Sequence, residues 1–244
     1  LLIALAAGAV VGLSLGALGG GGSVLAVPAL IYLLGFTPAA AATASLFIVL
    51  ATSATALYGH ARDGQVRWRT GALFAAAGVV PAALGGLLSS RLPDALLTLG
   101  FSLVAGFAAV RMVRRAPEAE SVRRPAPAVA GAGAGLGAVT GVLGVGGGFL
   151  TVPALVQVVG LKMRPAVGTS LFVVGANALV ALLARAGSAP AMNWAVVAPF
   201  TGAAVLGAWD GRRLAKRIPG DKLRRIFGVM LLLVAVVMLV DLLL

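Results

Sequence analysis

Four consecutive glycines inside an apolar stretch constrain this chain more than any other feature. The run Gly19, Gly20, Gly21, Gly22 leads straight into Ser23-Val-Leu-Ala-Val-Pro28-Ala29-Leu30. In hydrocarbon every backbone N–H and C=O needs a partner within the protein. Such a run is therefore tolerated at membrane depth only where the backbone is buried in protein or lines a cavity. The segment occurs twice. Its second copy reads Gly144-Val-Gly146-Gly147-Gly148-Phe-Leu-Thr-Val-Pro153-Ala154-Leu155, and Pro153 lies 125 residues after Pro28. At the same offset Gly35 matches Gly160, Ser45 matches Ser170 and Leu46-Phe47 matches Leu171-Phe172, an internal repeat with no gap over this window. Paired interruptions at corresponding positions of two halves are the best sequence pointer to a binding site in a membrane protein built from repeats.

Composition sets the solvent. Of 244 residues, 60% are hydrophobic and 11% charged, with a mean hydropathy of +1.06, which places the chain in the bilayer. The apolar runs show no strand-like alternation, so an all-α polytopic protein is expected rather than a barrel. Spans of about 20 residues give room for eight to ten membrane segments. The expected segments cover about 1–18, 23–35, 38–58, 70–90 and 95–112, then 128–144, 148–160, 165–184, 193–211 and 224–243. The chain opens on Leu1 rather than Met, so a few preceding residues are expected. Residues 1–18 have no basic flank or cleavage signal and align with 126–143, so a span is expected there rather than a signal peptide. The absence of cysteine excludes disulfides, thiolate metal sites and thiol-relay chemistry.

The stretch 114–127, rich in arginine, glutamate and proline, separates a first repeat (1–113) from a second (128–244). If this linker is cytoplasmic and the segments alternate, 17 of the 19 Lys and Arg residues fall on the cytoplasmic side, leaving only Arg91 and Arg185 outside. The net charge of +12 is thus a topology signal, and no nucleic-acid partner is expected. Equivalent loops carry opposite charge patterns. Arg91 stands alone where its counterpart is a cluster of seven basic residues, and the uncharged loop after segment 2 matches one carrying Lys162 and Arg164. Equivalent loops should therefore lie on opposite faces, which makes the two repeats inverted in topology.

The candidate site follows from the glycines. Gly16 and Gly21 have the spacing of a phosphate loop, but Gly22-Ser23 stands where that motif needs Lys and then Ser or Thr. Gly8, Gly12, Gly16, Gly133 and Gly137 are spaced for close helix packing. The consecutive glycines suit a different role, a break after which helices start at Ser23 and Gly148 with unpaired N–H groups and a positive dipole end facing a cavity. Such a nest binds an anion without a buried cation. Candidate substrate-binding residues are Gly20, Gly21, Gly22, Ser23, Thr43 and Ser45 in one half. Gly146, Gly147, Gly148, Thr169, Ser170 and the more distant Asn177 are the candidates in the other. For the hydroxyls the competing role is back-bonding to their own helix or gluing one helix to another. Asp210 is expected in an ion pair with Arg212 and Arg213, and His60, the only histidine, in an inner loop. No catalytic triad, carboxylate pair or metal-ligand cluster stands out, so neither an enzyme nor a cofactor is expected.

A Gly-rich run, then Val-Pro-Ala-Leu, then Gly, then Thr and Ser ahead of Leu, present in both halves, resembles the TauE/SafE family of sulfite exporters over essentially the whole chain. The resemblance implies transport of a small sulfur oxyanion or organosulfonate, such as sulfite or sulfoacetate, across a bacterial or archaeal cytoplasmic membrane. Expected partners are the bilayer and that anion, with a homodimer as an option. A passive anion channel and a membrane scaffold are the rival readings.

Overall fold

The computed structural model describes residues 2–89, 93–114, 125–142, 148–185 and 193–243. Among these it is 90% helix with no strand. In chain order the α-helices are α1 (Leu2–Leu18), α2 (Gly22–Pro28), α3 (Pro38–Arg62), α4 (Trp68–Ser89), α5 (Asp94–Arg114), α6 (Ala126–Val142), α7 (Gly148–Gln157), α8 (Met163–Arg185), α9 (Trp194–Arg217) and α10 (Gly220–Leu243). Most of the linker expected at 114–127 lies outside the described residues.

Among the described residues four helices are long and apolar enough to cross a bilayer: Ala40–Arg62 in α3, Leu96–Arg114 in α5, Met163–Leu183 in α8 and Gly220–Val240 in α10. Their outer faces are apolar. Leu99, Leu103, Phe107 and Val110 on α5, with Leu233, Val236, Val237 and Val240 on α10, are exposed, as lipid-facing side chains are. By contrast α2 and α7 are stubs. The seven residues of α2 continue through a five-residue π-helical turn, Ala29–Leu33, and α7 has ten residues. At about 1.5 Å per residue neither approaches the roughly 30 Å of hydrocarbon. Pro28 sits at the junction with the π turn, where its missing N–H interrupts the α ladder. Gly35 and Gly160, matched in sequence, both take positive φ (71° and 82°) just beyond these short helices.

Glycine-mediated contact holds the long helices together. A β-carbon on Gly8, Gly12 or Gly16 of α1 would run into the backbone carbonyl of Phe200, Ala204 or Ala208 on α9. The other half repeats this: Gly133 and Gly137 of α6 meet the carbonyls of Phe74 and Gly78 on α4. Two edge-on aromatic pairs follow the same exchange, Phe47 with Trp194 at 5.4 Å and Trp68 with Phe172 at 5.3 Å. Between them α3 packs on α8 and α5 on α10, contacts that map onto themselves when the halves are swapped. The helix neighbours thus obey a two-fold exchange of first and second half.

Because these glycines touch backbone rather than flexible side chains, nothing can move aside for a methyl group. Gly12→Ala and Gly137→Ala should each destabilise the detergent-solubilised protein by about 1–3 kcal/mol, the usual cost of overpacking. Gly106→Ala, on α5 with open space around its α-carbon, should leave the melting temperature unchanged or slightly raised. Equal losses at all three positions would show that glycine content, not contact, matters.

Candidate substrate site

The break between α1 and α2 is built by Gly19, whose φ of 73° belongs to the left-handed region, and by the tight 3-10 turn Gly19–Gly21. This ends α1 and lets α2 start at Gly22, one residue earlier than the sequence suggests. In the second half α7 starts at Gly148, as expected, while Gly146 and Gly147 lie outside the described residues. The two breaks meet. A β-carbon on Gly20 would collide with the carbonyl of Gly148, and one on Gly19 would collide with the Ser170 hydroxyl and press on the Val167 carbonyl. The 3-10 turn ahead of α2 and the first residue of α7, one from each half, are thus in backbone contact, and α8 packs against both. Gly21 and Gly22 continue the same backbone into α2, as does Ser23, whose side chain lies outside the description.

The hydroxyl candidates behave more locally. Ser45 Oγ donates to the Ala42 carbonyl and Ser170 Oγ to the Val167 carbonyl, both at 2.8 Å, matching in the two halves. Back-bonding, the competing role, is therefore their observed state. Thr169 is fully buried and its Oγ1 accepts from the Arg67 N–H at 3.0 Å, tying the α3–α4 loop to α8. Thr43 is buried and partnered, and Asn177 is partly exposed about two turns further along α8.

Three polar residues escape a linear reading. Ser53 is completely buried on α3, its Oγ without a hydrogen-bond partner among the described residues, and its β-carbon lies 3.4 Å from where a side chain on Gly175 would begin. His60 is not in a loop. It sits in the last turn of α3, 5% exposed, with Nε2 3.4 Å from the Gly16 carbonyl, a group that only accepts, so this nitrogen carries the hydrogen. Asp63, which follows α3, bridges to the end of α9: Arg212 Nη1 lies at 3.0 Å and Lys216 Nζ at 2.8 Å. Arg212 also donates to the Gly59 carbonyl and stacks over Trp209. The ion pair expected between Asp210 and Arg212 therefore goes to Asp63 instead, and Asp210 meets only Arg213, at 3.5 Å on the exposed surface. A charge count could have singled out Asp63 as an acid set among the arginines of its loop. Its partners, about 150 residues away in sequence, could not be read that way.

Burial works against ionising Asp63, yet the hydrogen bond and charge of Lys216, and then of Arg212, outweigh it and hold the carboxyl below its usual value. Beneath this bridge lies a cleft of about 300 Å³ between the α3–α4 loop and the ends of α8 and α9.

Apolar outer faces, half-length helices that begin at glycine breaks and a backbone junction between the halves define a polytopic helical membrane permease. Residues 4–238 match the family model described as "Sulfite exporter TauE/SafE", and the chain belongs to that family. It is 34% identical to a "Probable membrane transporter protein" of Xylella fastidiosa strain Temecula1 and 35% identical to one of strain 9a5c. Each alignment covers 97% of this chain and 94% of the relative. No solved structure matches.

The lowered Asp63 carboxyl has a direct consequence for stability against pH. Its contribution is fully present above the unfolded carboxylate value of about 3.9 and is lost as pH falls through the lower folded value. Wild type should keep a constant melting-temperature advantage over Asp63→Asn from about pH 8 down to about 5, shrinking only below about 4. An advantage that fades between about pH 8 and 6 would assign it to another group.

Proposed function

We propose that this permease exports a small sulfur-containing anion, such as sulfite or an organosulfonate, by alternating access between two inverted repeats of four or five segments each, with the linker 114–127 on the cytoplasmic side. The observation that carries the reading is the meeting of the turn ahead of α2 with the start of α7, at Gly20 and Gly148. Two helix starts lie side by side there, and an anion is what their positive dipole ends stabilise. The exchange of α1–α9 for α6–α4, and of Phe47–Trp194 for Trp68–Phe172, supports the inverted repeats. The family description supports the sulfur anion and the outward direction.

In this mechanism the backbone N–H groups opening α2 and α7 hold the anion. Gly19 and Gly20 let the first break approach the start of α7, and Gly21 and Gly22 carry the backbone into α2. Ser45 and Ser170 reorient from their back-bonds to add a donor each, and Ser23, Thr43, Thr169 and Asn177 surround the site at greater distance. The short α2 and α7 carry no charge of their own, so rocking of the long helices around them exposes the site to each side in turn.

The test is the melting temperature of purified protein with sulfite, sulfoacetate, taurine, thiosulfate or sulfate. A hundredfold excess over the dissociation constant adds about 2.7 kcal/mol to the native state. One sulfur anion should produce this shift in wild type. It should be weakened about a hundredfold in affinity by Ser45→Ala with Ser170→Ala, as loss of two donors to a charge predicts, and abolished by Gly20→Ala. A folded wild-type protein that no anion stabilises would contradict the proposal.

A further inference from the structure

The cleft on the basic face plays no part in the mechanism above, yet it is lined by charge. His60, Asp63 and Gln65 come from the end of α3 and its loop, Arg164 from the start of α8, and Lys216 from the end of α9. At about 300 Å³ it has room for some ten water molecules, enough for a small oxyanion with part of its hydration. Its inner wall is Ala17 and Val167. Ala17 is two residues from Gly19, and Val167 supplies the carbonyl that both Ser170 and Gly19 approach. One layer of residues thus separates the cleft from the glycine junction.

The two cations are held differently from an ordinary surface pair. Arg164 Nη2 donates to the carbonyls of Lys216 and Ile218, at 3.0 and 3.3 Å, so it caps the end of α9 and shares a rim with Lys216. Asp63 has one fixed partner and one exchangeable partner. Arg212 is 12% exposed and anchored to Gly59 as well, whereas the Lys216 side chain is 49% exposed and, among the described residues, holds only the carboxylate. A half-exposed lysine pair is weak and screened by salt. When Lys216 lets go, Asp63 stays neutralised by Arg212, so the exchange leaves no buried charge unpaired. The other half has no matching acid: at the 125-residue offset Asp63 matches Ser188, while Lys216 matches Arg91.

We propose that this cleft is the entry site for the transported anion on the basic face, with Lys216 and Arg164 as its cations and Asp63 as a resident counter-anion that the incoming oxyanion displaces from Lys216. The inference rests on the anion-transport reading and adds to it a loading site with a fixed sidedness. An empty transporter keeps its lysine occupied by its own carboxylate, which excludes weakly bound chloride. A small oxyanion competes because it takes Lys216 and Arg164 together. Since Asp63 has no acidic counterpart in the other half, the exchange belongs to this face, and loading from it is electrostatically assisted.

The signs of two substitutions separate this from a merely structural bridge. Binding of sulfite and of sulfoacetate to the full-length protein is measured by calorimetry at about 20 mM and about 200 mM NaCl, for wild type, Lys216→Gln, Asp63→Asn and the double variant. Lys216→Gln should weaken binding about fivefold at low salt and less at high salt, as the screening of exposed charge predicts. Asp63→Asn should tighten it by a similar factor, because the competitor is gone, and the double variant should resemble Lys216→Gln. If Asp63→Asn does not purify folded, Lys216→Gln decides alone. Wild-type binding that neither substitution changes, or that Asp63→Asn weakens, would overturn the entry site while leaving the central anion site standing. Absence of binding by wild type would overturn both.

Discussion

Backbone contact between helices at glycine is the interaction on which this structure depends. In lipid a helix gains nothing by hiding an apolar side chain from a solvent that is itself apolar, so association rests on close packing. Here the packing is bare backbone against bare backbone, α1 on α9 through Gly8, Gly12 and Gly16, and α6 on α4 through Gly133 and Gly137. The same chemistry, carried one step further, makes the junction at Gly20 and Gly148. Spaced glycines draw whole helices together, and consecutive glycines end one helix and begin the next.

That distinction connects fold to function. A continuous helix satisfies its own backbone and offers a ligand nothing but side chains, and these side chains are almost all apolar. A helix that starts in the middle of the protein offers unpaired N–H groups instead. Under the proposed function an anion at the centre needs no buried arginine or lysine, and the cations Arg164, Arg212 and Lys216 gather at one set of helix ends. Asp63, Arg212, Lys216 and Arg164 stitch together the ends of α3, α8 and α9 there.

Much of this was legible in the sequence because hydropathy and glycine report directly on what a bilayer allows. The order of ten helices, the short second and seventh, the glycine stripes on α1 and α6 and the equivalence of Phe47 with Phe172 follow from periodicity and the 125-residue offset. What stayed hidden depends on contacts between distant residues or on rotamers. Ser45 and Ser170 read as donors to a ligand, but a serine within a helix finds its own carbonyl first. His60 read as a loop residue because polar sequence follows it, whereas α3 runs on through Arg62. Asp63 has no sequence neighbours that point to its partners, and only the fold shows that it links the two halves.

The central claim is that an anion sits at the helix starts where the halves meet. Selenite, with the shape and charge of sulfite and a strong anomalous signal, can be diffused into crystals of protein whose binding of it has been established. The account predicts an anomalous peak within hydrogen-bond distance of the backbone N–H groups opening α2 and α7. A peak confined to other parts of the protein, with those N–H groups unoccupied, would contradict it.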